Sequence, residues 1–458
     1  MRVLWINGSI LPDYAEIFHK KQSGGTWLIK LSHQLQKQVE EVERLTIIFS
    51  VTEKELESYQ FINGIHYYGI FGENKAESYS EMFSAKIEII LLKEKPDIIH
   101  IWGTENEYSY CSFKAIESVG MIDKTVISIQ GLVSIYAQHF YAGLPQNVIK
   151  RYTLMDLKIG KNLVKMQKEF VKRGKYEIYE LQHCKQVIGR TEWDLACCKQ
   201  INSNVSYYAC NETLRDFFYC HEWNLEQCQR HSVFISQTHY QIKGFHFLLE
   251  ALRIVRQRYP DVHIYATGND RTKGGIKDRM KFRSYDLYLH NYIYQYELEN
   301  NITFVGRLNE QEMCQRYLKS HVFVSPSSIE NSSNAIGEAM ILGVPVIASS
   351  VGGIQTLLEH GVEGYLYQAD AAYMLAHYIM KIFEDDNLAC NLSKAEIARA
   401  RQTHDPEKNK ARILHIYRDI ILKCKTTFDN DANAAFDDFY DNCLRIDNGI
   451  YLNRKEIL

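Results

Sequence analysis

A lysine, two glutamates and a run of small polar residues are spaced so that they can act together on one anionic ligand. In SPSSIENSSNAIGEAMILGVPVIASSVGG, residues 325–353, a strand is predicted to end at Ser325-Pro326 and a polar loop then carries Glu330. A helix begins near Asn334; Gly343 suits its left-handed C-cap, and Pro345 follows. Ser332, Ser333 and Asn334 leave the first backbone N–H groups of that helix free, which makes an anion site. Glu338, a turn into the helix, is placed to accept hydrogen bonds from ribose hydroxyls, and Glu330 to contact a sugar. Lys243, in a Lys-Gly pair after another strand, can hold a diphosphate as a point charge. In Ser23-Gly24-Gly25-Thr26, two glycines at a helix start permit close backbone approach to phosphate. Alone, each has a bland reading: a surface lysine, solvated glutamates, an ordinary turn. Their common register gives them weight.

The elements that position these residues alternate. Val3 to Ile6, Leu45 to Phe49, Asp97 to Trp102, Thr125 to Ile129 and Gln186 to Ile188 read as strands, apolar nearly throughout as in a parallel sheet buried on both faces. Trp27 to Val39 reads as an intervening helix. The second half repeats the scheme, with strands at Ser232 to Ser236, His263 to Thr267, Ile302 to Val305, Val322 to Ser325 and Val344 to Ser349. Helices fall at Phe245 to Arg258 and from Glu310, Asn334 and Ile354. This alternation predicts an α/β chain of two doubly wound domains facing a central cleft, where open sheets bind ligands. The boundaries are 1–228 for the first domain, 229–405 for the second, and 406–458 for a helix packing back on the first domain plus an acidic tail without assignment. Arg190-Thr191 and Trp193-Asp194 follow the last strand of the first half, and residue type assigns them no role.

Composition narrows the class. The 458 residues suit two domains, and 46% hydrophobic with 24% charged residues is ordinary for a globular protein. A net charge of -3 gives no reason to expect a nucleic-acid partner. MRVLWING is too short an apolar run for a signal peptide and reads as a first buried strand, so a cytoplasmic location is expected. The run Ile87 to Leu92 reads as a helix's worth of core. Eleven scattered cysteines suggest reduced thiols. Cys210, Cys220, His221, Cys228 and His231 match no common zinc spacing, and no metal site or cofactor is expected.

The segment from Pro326 to Ala348 resembles the E-x7-E signature of retaining GT-B glycosyltransferases, family 4 (glycosyl transferases group 1). The match comprises Pro326, Ser327, Glu330, Glu338, Ala339, Met340, Gly343, Pro345, Val346, Ile347 and Ala348. Where relatives carry an aromatic-Gly pair, Ser332-Ser333 stands here. Relatives also place an arginine about five residues before the lysine, whereas Ser236, Gln237 and Thr238 occupy that stretch. The resemblance implies a GT-B fold of two Rossmann-like domains, the first (1–228) binding the acceptor and the second (229–405) the nucleotide sugar, and a metal-independent, retaining hexosyltransferase. Lys243 and Glu330 would be catalytic. Gly24, Gly25, Lys243, Gly306, Glu330, Ser332, Ser333, Asn334 and Glu338 would bind a nucleotide-sugar donor. Gly352-Gly353 would form a turn beneath the site, and Gln130-Gly131 stands where many relatives have His-Gly. It further implies a glycan or lipid-linked acceptor and a place in cell-surface polysaccharide biosynthesis. A nucleotide-sugar 2-epimerase of the same fold, or a non-catalytic partner subunit, are the competing readings.

Lys158, Lys161, Lys165, Lys168 and Lys172 recur at three- and four-residue spacing and read as one face of a helix, extended by Lys150, Arg151, Arg173 and Lys175. Two readings stand: a solvated face, or a peripheral contact with the anionic inner face of a membrane.

Overall fold

Runs of β-branched and aromatic residues, buried on both faces, build two largely parallel sheets. The computed structural model describes residues 1–20, 26–72 and 76–446; Gly24 and Gly25 lie outside the described residues. The first sheet contains β1 (Arg2–Asn7), β2 (Arg44–Val51), β3 (Ser58–Ile62), β4 (Ile65–Phe71), β5 (Ile98–Trp102), β6 (Thr125–Ser128), β7 (Gln186–Gly189) and β8 (Ser206–Ala209). Its order is β3-β4-β2-β1-β5-β6-β7-β8. Every pairing is parallel except the β3–β4 hairpin. That hairpin turns on Asn63 and Gly64, both at positive φ, as a tight two-residue hairpin loop requires.

The second sheet contains β9 (Gln229–Ile235), β10 (His263–Thr267), β11 (Ile302–Gly306), β12 (Ser320–Ser325), β13 (Val346–Ser349) and β14 (Tyr365–Tyr367). All are parallel, in the order β11-β10-β9-β12-β13-β14. Strand order reverses beside β1 in the first sheet and beside β9 in the second, and ligands of such sheets bind at that crevice. The loops after β1, β5, β9 and β12 therefore meet at one place.

The domains are stitched as well as apposed. The second core already includes Leu214, Phe218 and Trp223, and also takes Phe140, Leu144, Val148, Ile149 and Leu163 from the stretch between β6 and β7. Gln241 Nε2 donates to Phe140 O at 2.7 Å, and Asp156 accepts from Arg283 Nε at 3.1 Å and from Ser284 N at 3.0 Å. The helix Pro406–Ile446 crosses back to the first domain. Its Ile413, Leu414, Ile416, Tyr417 and Ile420 join the core around Trp5 and Leu45. The Tyr417 hydroxyl accepts from Trp5 Nε1 at 2.9 Å and shares a 2.7 Å hydrogen bond with His100 Nδ1. Burial pulls the His100 pKa down to about 3, so the ring is a neutral hydrogen-bonding wedge.

Two expectations need correction. The basic stripe is not one helix: Leu154–Ile159 ends at Gly160, in the left-handed conformation at φ 74, and Leu163–His183 starts afresh with Asn162 as cap. Lys158 thus sits on a separate short helix. The run Ile87 to Leu92 is core on one face only: Ile87, Ile90 and Leu91 are buried, while Ile89 and Leu92 are exposed at 66% and 57%.

Candidate functional site

The loop after β9 and the loop after β12 lie against one another because two glycines allow it. Gly244 has φ 71, and a Cβ there would stand 1.8 Å from Pro326 O. Gly352 has φ 52, and its Cβ would stand 2.0 Å from Glu330 O. Gly353 N instead donates to that carbonyl at 3.0 Å, which places the Gly352-Gly353 turn beneath Glu330. So held, Lys243 Nζ meets Glu330 Oε2 at 2.5 Å, in surroundings that leave their side chains 17% and 12% exposed. Burial lowers the lysine's pKa, but the Glu330 carboxylate and the Tyr240 ring beside it more than offset that, and the pKa is raised overall. Lys243 is therefore a permanent cation.

A second pair sits one step along the cleft. The helix Asn334–Leu342 opens at Ser333 with no side-chain cap and no acidic residue in its first turn. Its N-terminal end keeps its partial positive charge. Glu338, four residues in, accepts from Arg215 Nε at 2.8 Å. Burial raises the Glu338 pKa and Arg215 pulls against it. A cavity of about 200 Å³ opens here, lined by Arg215, Ser236, Gln237, Met313, Asn334 and Glu338. The smaller pocket around Lys243 and Glu330 shares Ser236, Gln237 and Ala335 with it. Lys243 and Arg215 are thus each balanced by a carboxylate, and the start of the helix lines both pockets.

Polar residues from the first domain brace this helix. Arg190 Nη1 pairs with Glu212 Oε2 at 2.8 Å and reaches Asn334 Oδ1 at 3.4 Å; Asn334 Nδ2 returns to Glu212 Oε2 at 3.2 Å. Thr191 caps the helix Glu192–Ile201 in a capping box with Asp194, and its hydroxyl also meets Asn331 Oδ1 at 2.7 Å. Asn331 Nδ2 donates to Asp194 at 3.1 Å. Arg190-Thr191 and Asp194, roleless in the sequence, form one of the bridges between domains. The Arg190 and Glu212 side chains are only 4% and 9% exposed. Arg190→Ala leaves a buried carboxylate unpaired and is expected to lower unfolding stability by about 3–5 kcal/mol. A denaturation midpoint within error of wild type would refute this bracing role.

Of the residues expected at the site, Lys243, Glu330, Ser332, Ser333, Asn334 and Glu338 lie on these two loops and the helix between them. Gly306 ends β11 at φ 75, and its carbonyl accepts from Gly268 N at 3.1 Å. Arg215 was missed; it belongs to the segment joining the domains, where no spacing rule ties it to Glu338. His239 marks a second basic group near Lys243. Burial, with Lys243, Arg271 and Arg307 nearby, drives its pKa down to about 4. The Arg271 guanidinium is structural, bound to Asp286 at 2.8 Å and Thr238 Oγ1 at 3.0 Å. The cysteines and histidines of 210–231 are dispersed: His221 Nδ1 bonds Phe217 O at 2.9 Å, and His231 Nδ1 bonds Asp261 at 2.8 Å.

Two Rossmann-like domains facing a cleft define a GT-B fold, and solved structures share it. Sucrose-phosphate synthase of Thermosynechococcus elongatus superposes with a TM-score of 0.67 at 15% identity, covering 92% of this chain and 100% of that one. HepE of Anabaena, in complex with UDP, does so with a TM-score of 0.62 at 17% identity, over 92% and 100%. Residues 222–399, which hold both cation–carboxylate pairs except Arg215, match the family model of glycosyl transferases group 1. An uncharacterized glycosyltransferase of Methanocaldococcus jannaschii is 29% identical over 132 residues, 29% of this chain and 30% of that protein. The chain thus spans under a third of that relative's length.

Proposed function

We propose that the chain transfers a sugar from a nucleoside diphosphate donor to a hydroxyl of a glycan or lipid-linked acceptor, with retained stereochemistry. The observation that carries this reading is the convergence of Lys243, Arg215 and an uncapped helix end on one cleft, each cation held by a carboxylate that a donor can replace. Ribose hydroxyls donating to Glu338 free Arg215, and a sugar hydroxyl donating to Glu330 frees Lys243. Both cations then face the diphosphate, and Arg215 stands in for the arginine absent from residues 236–238. The anomeric C–O bond to the diphosphate breaks, the acceptor oxygen bonds to the same face of that carbon, and its proton passes to the leaving phosphate. Two cations and a helix end supply the charge that such a step needs, so no metal ion enters the scheme.

UDP is the probe of choice, because HepE is solved with it. Calorimetry in EDTA should show saturable UDP binding, weakened about tenfold or more in Arg215→Ala, as expected for losing a charge-assisted contact of about 1.5–3 kcal/mol. Wild-type affinity in both Arg215→Ala and Lys243→Ala would remove the donor site from this cleft.

The same reading has a location. No helix among the described residues is long and apolar enough to cross a membrane. The short helix Leu154–Ile159 exposes Leu154, Leu157 and Ile159 at 61%, 62% and 47%, and the five lysines of the stripe on it and after it are exposed as well. Exposed apolar side chains on a helix that carries Lys158 and leads into Lys161 suit an anionic bilayer surface, and we assign this face to peripheral contact with one.

A further inference from the structure

The helix Ala76–Glu94 joins β4 to β5 and is apolar on two sides. Phe83, Ile87, Ile90 and Leu91 turn inward and belong to the core of the first domain. Met82, Ala85, Ile89 and Leu92 form a ridge on the opposite face, at spacings of three, four and three, and all four are exposed. The large side chains of that ridge, Met82, Ile89 and Leu92, are 41%, 66% and 57% exposed. Such spacing is the a and d pattern of a coiled-coil seam, whereas a helix docked on one sheet needs only one apolar face.

The apolar surface continues onto the β3–β4 hairpin, at the edge of the sheet. A cavity of about 280 Å³ separates hairpin from helix, lined by Glu57, Tyr59, Tyr68, Ile70, Lys86 and Ile89 among others. Tyr59 and Phe61, alternate residues on one face of β3, are exposed as well. The helical seam alone is short beside the roughly 800 Å² that a stable interface buries on each partner, and the hairpin widens it.

The charges beside the seam identify its occupant. With Met82 and Ile89 at a, and Ala85 and Leu92 at d, Glu81 and Glu88 occupy g while Lys86 and Lys93 occupy e. Acids therefore line one side of the ridge and lysines the other, and their balance gives an anionic bilayer nothing to attract. In two copies of the helix lying parallel about a two-fold axis, the g side of each meets the e side of the other. Glu81 then faces Lys86, and Glu88 faces Lys93. An antiparallel pair would set acid on acid and lysine on lysine. Glu81 and Lys93 have no ion-pair partner among the described residues, and the Lys93 ammonium lies 5.3 Å and 5.4 Å from the ring centroids of Tyr59 and Tyr68. Lys86 is bound to Glu57, and Glu88 accepts from Ser118 Oγ at 2.5 Å, which holds the two flanks in place.

We propose that this face is a two-fold interface between copies of the chain, built on Met82, Ile89 and Leu92 and aligned by Glu88 and Lys93. It stands apart from the transferase reading, since no residue lining the two cleft pockets belongs to this helix or hairpin. Sedimentation velocity of the full chain over a concentration series reads it directly. The wild type should dimerise within a range reaching about 100 μM. Ile89→Glu/Leu92→Glu should raise the dissociation constant about a hundredfold or more, because four apolar side chains leave the interface. Both positions are exposed, so its melting temperature should stay that of the wild type. Glu88→Lys and Lys93→Glu each turn two attractive pairs repulsive and should weaken the dimer about tenfold. The combined swap restores opposite charges across the axis and should recover wild-type association. These three charge variants decide the matter alone if Ile89→Glu/Leu92→Glu melts early. A wild type that stays monomeric throughout, including one that instead binds vesicles through Ile89 and Leu92, would overturn the proposal. A dimer indifferent to the loss of Ile89 and Leu92, or charge variants whose effects add instead of cancelling, would do the same.

Discussion

Replacing Lys243 with alanine should lower turnover by about a hundredfold or more, the scale set by removing one preorganised charge from a developing oxyanion. The ammonium sits on a loop whose path depends on Gly244, so once a sugar hydroxyl has engaged Glu330 little reorganisation remains when negative charge grows on the leaving phosphate. A stability effect will accompany the kinetic one, because Lys243→Ala leaves the mostly buried Glu330 carboxylate without its partner. The double variant Lys243→Ala/Glu330→Ala separates the two. It should regain much of the lost melting temperature and none of the lost turnover. Steady-state kinetics with the best substrate from a panel of UDP-sugars decides the matter. Turnover within threefold of wild type in Lys243→Ala would show that this lysine only holds a loop.

The contrast between what the chain's pattern reveals and what it hides is physical. Strands buried on both faces announce themselves as unbroken apolar runs, and β1, β2, β5 and β10 fall within a residue or three of where those runs lie. Glu330, Asn334 and Glu338 were legible because one loop and one helix carry them, with spacing set by local geometry. The Asn63-Gly64 hairpin was equally local and its turn signal was there to be read; β8 and β14, four and three residues long, were too short for pattern to separate from loop. Arg215 lies outside that reach, because it finds Glu338 only after the linker has packed on the second core through Leu214 and Phe218. The Arg190–Glu212 pair is likewise a product of tertiary packing. The broken stripe marks the opposite failure: a periodicity of three and four ran across Gly160, where a left-handed residue ends one helix and the next begins.

That break sharpens the prediction for the basic face. Converting Lys158, Lys161, Lys165, Lys168 and Lys172 to glutamine should weaken binding to vesicles rich in phosphatidylserine by at least about a hundredfold. Each lysine near an anionic surface contributes about 1 kcal/mol. Not all five are free to do so: Lys161 pairs with Glu169 at 2.6 Å, and Lys165 Nζ donates to Gly160 O at 2.8 Å. Three effective charges still give about 3 kcal/mol, or two decades of affinity. The apolar knuckle acts separately, since Leu154, Leu157 and Ile159 can enter the headgroup region whatever the salt. Replacing those three with serine should leave a residual binding that salt abolishes, whereas the lysine variant should leave a weak binding indifferent to salt. Sedimentation of the two variants with vesicles at low and high salt reads both terms. Undiminished binding after loss of the five lysines would return this face to the solvent.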